Sequence, residues 1–335
     1  MSQRFLIAKE AILAPQCIFS ATLLKEVKIM LHLPDGSSWP VPISPNAKRV
    51  QLLACLAWKR NQPVYRRTIE QNVFLHGLPK EYATQKHLQD MFGAHTRLLR
   101  RDIREAIVKV YTETGESLLL PECDPLTNTR GGYWALSALW FPTDLEVVQS
   151  YVQFIDDVRE RGRLDSGISD EVKTACDALL AAYSGDFLQE MIRTYPEEFQ
   201  PLRTSWVREP HTFYRDCYLK ALWYAGEYER QRWQSGAKET AKHAEQAIHY
   251  YWQYALSACQ STLDIKLDFA SAALSERILM SERALRRCLV LYQTKGERDA
   301  FEKCYQDYCE QMEHLSQHRW QPTSETLQVV HSVPW

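Results

Sequence analysis

Arg97, Arg101 and Arg104 stand at i, i+4 and i+7 in the segment Ala94–Val110. At about 100° per residue such spacing draws one stripe down a helix. Leu99, Ile103, Ala106, Ile107 and Val110 fall on the other side, so the helix docks by its apolar face and offers three guanidinium groups outward. Asp102 and Glu105 project from the flanks, and no acid lies on the stripe itself. A guanidinium fork reads guanine edges and phosphates bidentately, which makes nucleic-acid recognition the chemistry this spacing suits. The plainer alternative is a solvated amphipathic helix.

The chain has no Gly-x-Gly-x-x-Gly, no Gly-x4-Gly-Lys-Ser/Thr, no His-Glu-x-x-His and no Gly-x-Ser-x-Gly. His243 and His249 are six apart and do not share a helix face. Asp156 and Asp157 open a charged stretch and read as a solvated turn, not a carboxylate dyad. The expectation is therefore a protein that is not an enzyme and uses neither cofactor nor metal.

The net charge of −2 conceals a gradient. Residues 45–110 carry 13 Lys/Arg against 5 Asp/Glu, whereas residues 151–335 carry 22 against 28. A basic module joined to an acidic one points to a polyanion partner for the first. Nine cysteines, an odd number with no Cys-x-x-Cys pair, indicate reduced thiols in a cytoplasmic protein. Lys9 and Glu10 interrupt the N-terminal apolar stretch, which argues against a signal peptide. No run approaches the roughly 18 apolar residues of a membrane span.

The elements around the arginine helix have a recognisable order. Residues 28–33 and 39–43 flank Asp35-Gly36 as a hairpin, with Pro40 and Pro42 demoting the second strand to an edge. Ser44 or Asn46 can cap a helix over 47–59, and a second helix starts at Tyr65. Gly115 ends the arginine helix, and apolar residues follow a turn at Arg130-Gly-Gly132. Two strands, three helices and a closing hairpin make a winged helix-turn-helix order. Beyond residue 144 the pattern is helical, with expected helices over 144–158, 170–183, 206–224, 243–259, 274–294 and 298–314. The turns Ala225-Gly-Glu-Tyr and Lys295-Gly-Glu-Arg are 70 residues apart, about two tetratricopeptide units.

Arg101-Asp-Ile-Arg-Glu-Ala-Ile107 resembles the Ser-Arg-Leu-Arg-x-Ala-Leu core of the recognition helix in the Streptomyces antibiotic regulatory protein family, whose DNA-binding domain is OmpR-type. Gly131-Gly-Tyr-Trp-Ala-Leu136 with Asp144 is similar to that family's wing. Ala182-Tyr-Ser-Gly-Asp-Phe-Leu188, Trp206-Val207, Leu291-Tyr-Gln-Thr-Lys-Gly-Glu-Arg298 and Pro322-Thr-Ser-Glu-Thr326 resemble signatures of the bacterial transcriptional activator domain. Asp102 departs from the family pattern, which has Arg there. Arg230–Ala241 is more charged than the family pattern and reads as an inserted loop.

The resulting expectation is a mainly α chain with a small α+β N-terminal domain: a winged helix-turn-helix followed by a tetratricopeptide-like all-α domain. Its boundaries are an unassigned segment 1–26, a DNA-binding domain 27–143, an activator domain 144–320 and a tail 321–335. Arg97, Arg101 and Arg104 would face the major groove. Arg100 and Lys109 would reach flanking phosphates, Arg130 the wing's backbone contact, and Lys48, Arg49, Arg66 and Arg67 further phosphates. The resemblance implies a transcriptional activator that binds double-stranded DNA at repeated half-sites, recruits RNA polymerase and pairs with a second copy. The alternative is a tetratricopeptide-like adaptor whose winged helix binds protein.

Overall fold

The computed structural model describes residues 19–33, 35–41, 43, 48–59, 62–75, 78–115, 118, 123–129, 131–137, 140–162, 167–195, 206–236, 240–260, 272–316 and 320–332. Their contacts define two compact units, one drawn from Met1–Ser150 with Ala182–Tyr214 and the other from Tyr151–Ala181 with Arg215–Trp335. A small α+β region with a winged helix precedes a tetratricopeptide-like array of helices.

In the first unit, β1 (Phe19–Thr22), β2 (Lys28–His32) and β3 (Ser38–Pro40) form an antiparallel sheet in that order. Phe19 pairs with Leu31 and Ala21 with Ile29. Period-2 alternation turns all four inward, where they are buried. Gly36 takes the left-handed conformation that the β2–β3 turn needs, and Pro40 sits on the edge strand as its missing N–H requires. The segment 1–26, left unassigned from sequence, thus contains β1, which pairs with β2 over all four of its residues.

A winged helix-turn-helix order follows. It runs α1 (Lys48–Trp58), β4 (Val64–Tyr65), α2 (Arg66–Ile69), α3 (Gln85–Thr114), β5 (Leu126–Thr129) and β6 (Tyr133–Leu136). A wide π turn, Glu70–Phe74, extends α2, and a single 3-10 turn, Lys80–Tyr82, precedes α3. The short sheet runs β4-β6-β5. α3 is 30 residues long and begins nine residues before Ala94. Thr84 Oγ1 caps it by accepting from His87 N at 3.3 Å, and Leu88 and Phe92 extend its buried stripe upstream. Gly115, at φ +74°, ends it as expected. The expected caps Ser44 and Asn46 lie outside the described residues.

The remaining helices are α4 (Asp144–Glu160), α5 (Asp170–Ala182), α6 (Gln189–Thr194), α7 (Arg208–Gln234), α8 (Thr240–Cys259), α9 (Ala272–Lys295), α10 (Arg298–Ser316) and α11 (Ser324–His331). The division into units falls within α4 and α7, not at residue 144. The reason lies in the stretch Tyr183–Leu188, read from sequence as part of the helical domain. It docks on the turn after β1: Lys25 N donates to Asp186 O at 2.8 Å and Leu188 N to Leu23 O at 2.9 Å. Ser184 Oγ donates to Leu24 O at 2.9 Å. Gly185 is required there, since a Cβ would lie 2.8 Å from that of Lys25. Asp144 binds the same turn, accepting from Leu23 N at 2.9 Å and Leu24 N at 2.8 Å.

In the helical unit, Leu222, Tyr251, Ala255, Leu285, Cys288, Leu289, Phe301 and Tyr308 form one buried cluster. Gly226 does not punctuate: α7 runs unbroken past it, through the expected loop at Arg230, to Gln234. A Cβ at 226 would lie 2.9 Å from the Tyr251 ring, so glycine lets α8 approach closely. Lys295-Gly-Glu-Arg298, by contrast, is a turn, with Gly296 at φ +73°. The expected tail 321–335 contains α11, held by the buried carboxylate of Glu282. That carboxylate accepts from Trp320 Nε1 at 3.1 Å, Thr323 N at 3.0 Å and Thr326 Oγ1 at 2.7 Å.

The eight described cysteines form no disulfide, and burial pushes the Cys55, Cys176 and Cys217 thiols up to about 12, the state of inert packing groups. Among the described residues no helix is long and apolar enough to cross a membrane, and no group of three ligating side chains could hold a metal ion.

Two measurements follow. Glu282→Ala leaves several buried donors unpaired and should lower stability by about 2–4 kcal/mol in urea titration. At Asp144, burial outweighs the backbone donors and lifts the carboxyl pKa to about 6. Between roughly pH 4 and pH 6 the native carboxyl keeps a proton that the unfolded chain has released, so this group's stabilisation declines as pH rises through that window. Asp144→Asn should remove that slope from a pH series of unfolding midpoints.

Candidate nucleic-acid interface

The inner face of α3 sets the geometry of the outer one. Leu88, Phe92, Thr96, Leu99, Asp102, Ile103, Ala106 and Val110 are buried, while Ile107, expected with them, is half-buried at the margin. Phe92 packs edge-on against Trp134 of β6 with ring centroids 5.0 Å apart, and Phe74 of the π turn stacks on His95 at 5.3 Å. These contacts orient α3 between the helix-turn-helix and the β5–β6 hairpin. Arg97, Arg101 and Arg104 are left exposed on one face, as their spacing dictates.

Their charges differ in freedom. Arg101 lies 3.4 Å from Glu105 and 3.5 Å from Asp102. Arg97 and Arg104 have no acidic partner among the described residues. The exposed Arg101–Glu105 pair is weak and gives way to a stronger anion. Lys109 is exposed and only 3.8 Å from Glu113, a contact equally easy to exchange.

Three other arginines expected at phosphates are paired within the chain. Arg49 forms an ion pair with Asp102, whose side chain is 8% exposed. Asp102 therefore faces α1 and is absent from the stripe; an arginine there would set two guanidinium groups against each other under the surface. Arg66 Nε donates to the buried Glu70 at 2.6 Å, its Nη2 donates to Gln89 O at 3.0 Å, and its guanidinium lies 5.0 Å from the Phe92 ring. Arg100 Nε donates to Asp124 at 3.1 Å and Nη2 to Leu126 O at 3.0 Å, with the guanidinium 5.8 Å from the Trp134 ring. It thus ties the hairpin to α3 from the helix's flank.

Of the remaining expected contacts, Arg67 is exposed, Lys48 is half-buried and donates to Gln51 at 3.4 Å, and Arg130 lies outside the described residues. His95, near Arg49 and Lys48, is held below the usual histidine range by burial first and by those cations second. It adds no positive charge at neutral pH. Lys86, not among the expected contacts, is exposed in the first turn of α3 and about 20° around the helix from Arg97. Val108 and Tyr111, 61% and 56% exposed, continue the stripe toward the C-terminus. Lengthening the helix from 94–110 to 85–114 brings in Lys86 and Tyr111, whereas Val108 lies inside the shorter segment and its spacing alone places it on this face.

Neither a protein-family model nor a curated protein matches this sequence. Among solved structures, the chain is similar to Mycobacterium tuberculosis EmbR in complex with a low-affinity phosphopeptide, with a TM-score of 0.53 and 15% identity. The match covers 95% of this chain and 66% of that one, so the chain spans about two thirds of the length of the EmbR structure. The likeness is one of fold alone, a winged helix followed by an all-α domain.

If Arg100 positions the wing and does not contact phosphate, Arg100→Ala should cost about 1–2 kcal/mol of stability. The slope of log affinity against log salt for any bound duplex should stay unchanged. Urea and salt titrations of the same variant separate these two effects.

Proposed function

We propose that this chain is a sequence-specific DNA-binding transcriptional activator. The observation that carries the reading is the exposed trio Arg97, Arg101 and Arg104 on the outer face of a helix whose other face is sealed in a winged-helix core. Two of the three are without an acidic partner among the described residues. Placed in a major groove, the trio reads base edges, guanine O6 and N7 foremost. Lys109 and Arg67 meet phosphates beside the groove, with Lys48 at the start of α1 close to a third. Arg130, which falls between β5 and β6 in sequence, is the further backbone contact in this proposal. The helical unit carries the contacts with RNA polymerase and with a second copy, the arrangement suited to repeated promoter half-sites and a cytoplasmic, nucleoid-bound regulator. EmbR, named with a phosphopeptide, lends this reading its architecture and nothing about its ligand.

Selection of bound duplexes from a random library by the full chain tests the proposal. An enriched sequence, bound with a steep salt dependence, is expected. Arg101→Ala and Arg104→Ala should each cost about 1–3 kcal/mol for the selected duplex and relax the base preference at one position. Absence of enrichment, or binding indifferent to salt, would favour an adaptor that contacts protein.

A further inference from the structure

Val108 is the most exposed large hydrophobic side chain among the described residues, at 61%. It lies on α3 four residues beyond Arg104 and about 20° around the helix from Arg97, so it belongs to the arginine face. Valine has a lower helix propensity than the lysine, glutamate or alanine that solvated helix positions favour, and nothing in its own unit covers it. A face that presents cations and then one branched apolar group matches a surface that is anionic but carries an isolated methyl. The major groove of a duplex is such a surface: phosphates and guanine acceptors supply the anionic character, and the thymine C5-methyl is the apolar group it displays.

We infer that Val108 is a specificity-determining residue that contacts a thymine methyl beside the bases met by the arginines. The inference rests on the DNA-binding reading above and deepens it by naming a base. The helix rise places Val108 about 6 Å beyond Arg104 along the axis, which is roughly two base steps. The recognised sequence should therefore carry a thymine about two steps from the position whose preference Arg104→Ala relaxes. Arg97 to Val108 spans about 16 Å, a length that one major-groove segment of roughly five base pairs accommodates.

The test uses the full chain and the duplex enriched by selection, with each thymidine replaced in turn by deoxyuridine, which removes only the methyl. The wild-type chain should lose about four-fold in affinity at one position, the weight of one buried methyl. Val108→Ala should bind the thymidine duplex several-fold more weakly and lose the distinction between thymidine and deoxyuridine at that position alone. At this exposed helix position the melting temperature should hold or rise slightly, since alanine is the better helix former, so weaker binding would not reflect a loss of folding. If the duplex is bound through Arg101 and Arg104 but no deoxyuridine position responds to Val108→Ala, the inference fails while the DNA reading stands. The apolar end of the stripe would then belong to a protein partner. If no duplex is enriched, both fail together.

Discussion

Asp102 lies beneath the surface of α3 with Arg49 as its counter-ion, and the charges around it arrange themselves in consequence. A buried carboxylate is tolerable only when a cation or several donors meet it. That need draws Arg49 inward from α1, just as buried Glu70 draws Arg66 inward from α2. Arg100 is bound on the flank by Asp124 and the Leu126 carbonyl. What remains outward on α3 is the trio at 97, 101 and 104 with Lys86 and Lys109, beside exposed Arg67 on α2. The basic surplus of the first module thus divides into arginines paired within the chain and cations left at the surface for a partner.

The same economy of buried polar groups explains how distant segments of the first unit are joined. The turn Leu23–Lys25 exposes backbone donors and acceptors that a sheet edge would otherwise leave to water. Asp144 takes two donors, and the stretch Ser184–Leu188 takes part of the rest. A burial large enough to lift the Asp144 pKa to about 6 is tolerated because two backbone N–H groups converge on it. Residues some 160 positions apart are therefore neighbours, as the bond from Ser184 to Leu24 records.

In the helical unit the close approaches matter as much as the apolar cluster. Gly226 removes a side chain where Tyr251 needs room, and the Tyr251 hydroxyl then donates to Glu227 at 2.8 Å. Arg230 and Arg287 neutralise that carboxylate from either side. Glu282, with no cation paired to it among the described residues, is satisfied by neutral donors from the segment that begins α11. The short stretch Pro322–Thr326 is therefore a cap on the core and part of its hydrogen bonding.

Much of this was legible in the residues alone. Periodicity gave the α3 stripe, the six-helix succession after residue 144 and the alternation of the hairpins, because each depends on angles within one element. Asp-Gly, Gly115 and Lys295-Gly-Glu-Arg announced real turns for the same local reason. The two Gly-Glu motifs nevertheless ended differently, one a turn and one inside a helix, since the difference lies in the Tyr251 ring brought by another helix. Likewise, spacing set the angular position of Arg49, Arg66 and Arg100 on their own elements but could not supply Asp102, Glu70 and Asp124 as partners. Which arginines point outward, where β1 pairs and which unit holds Tyr183–Leu188 were decided by tertiary contacts between segments far apart in the chain. No local pattern encodes the desolvation balance that such contacts settle.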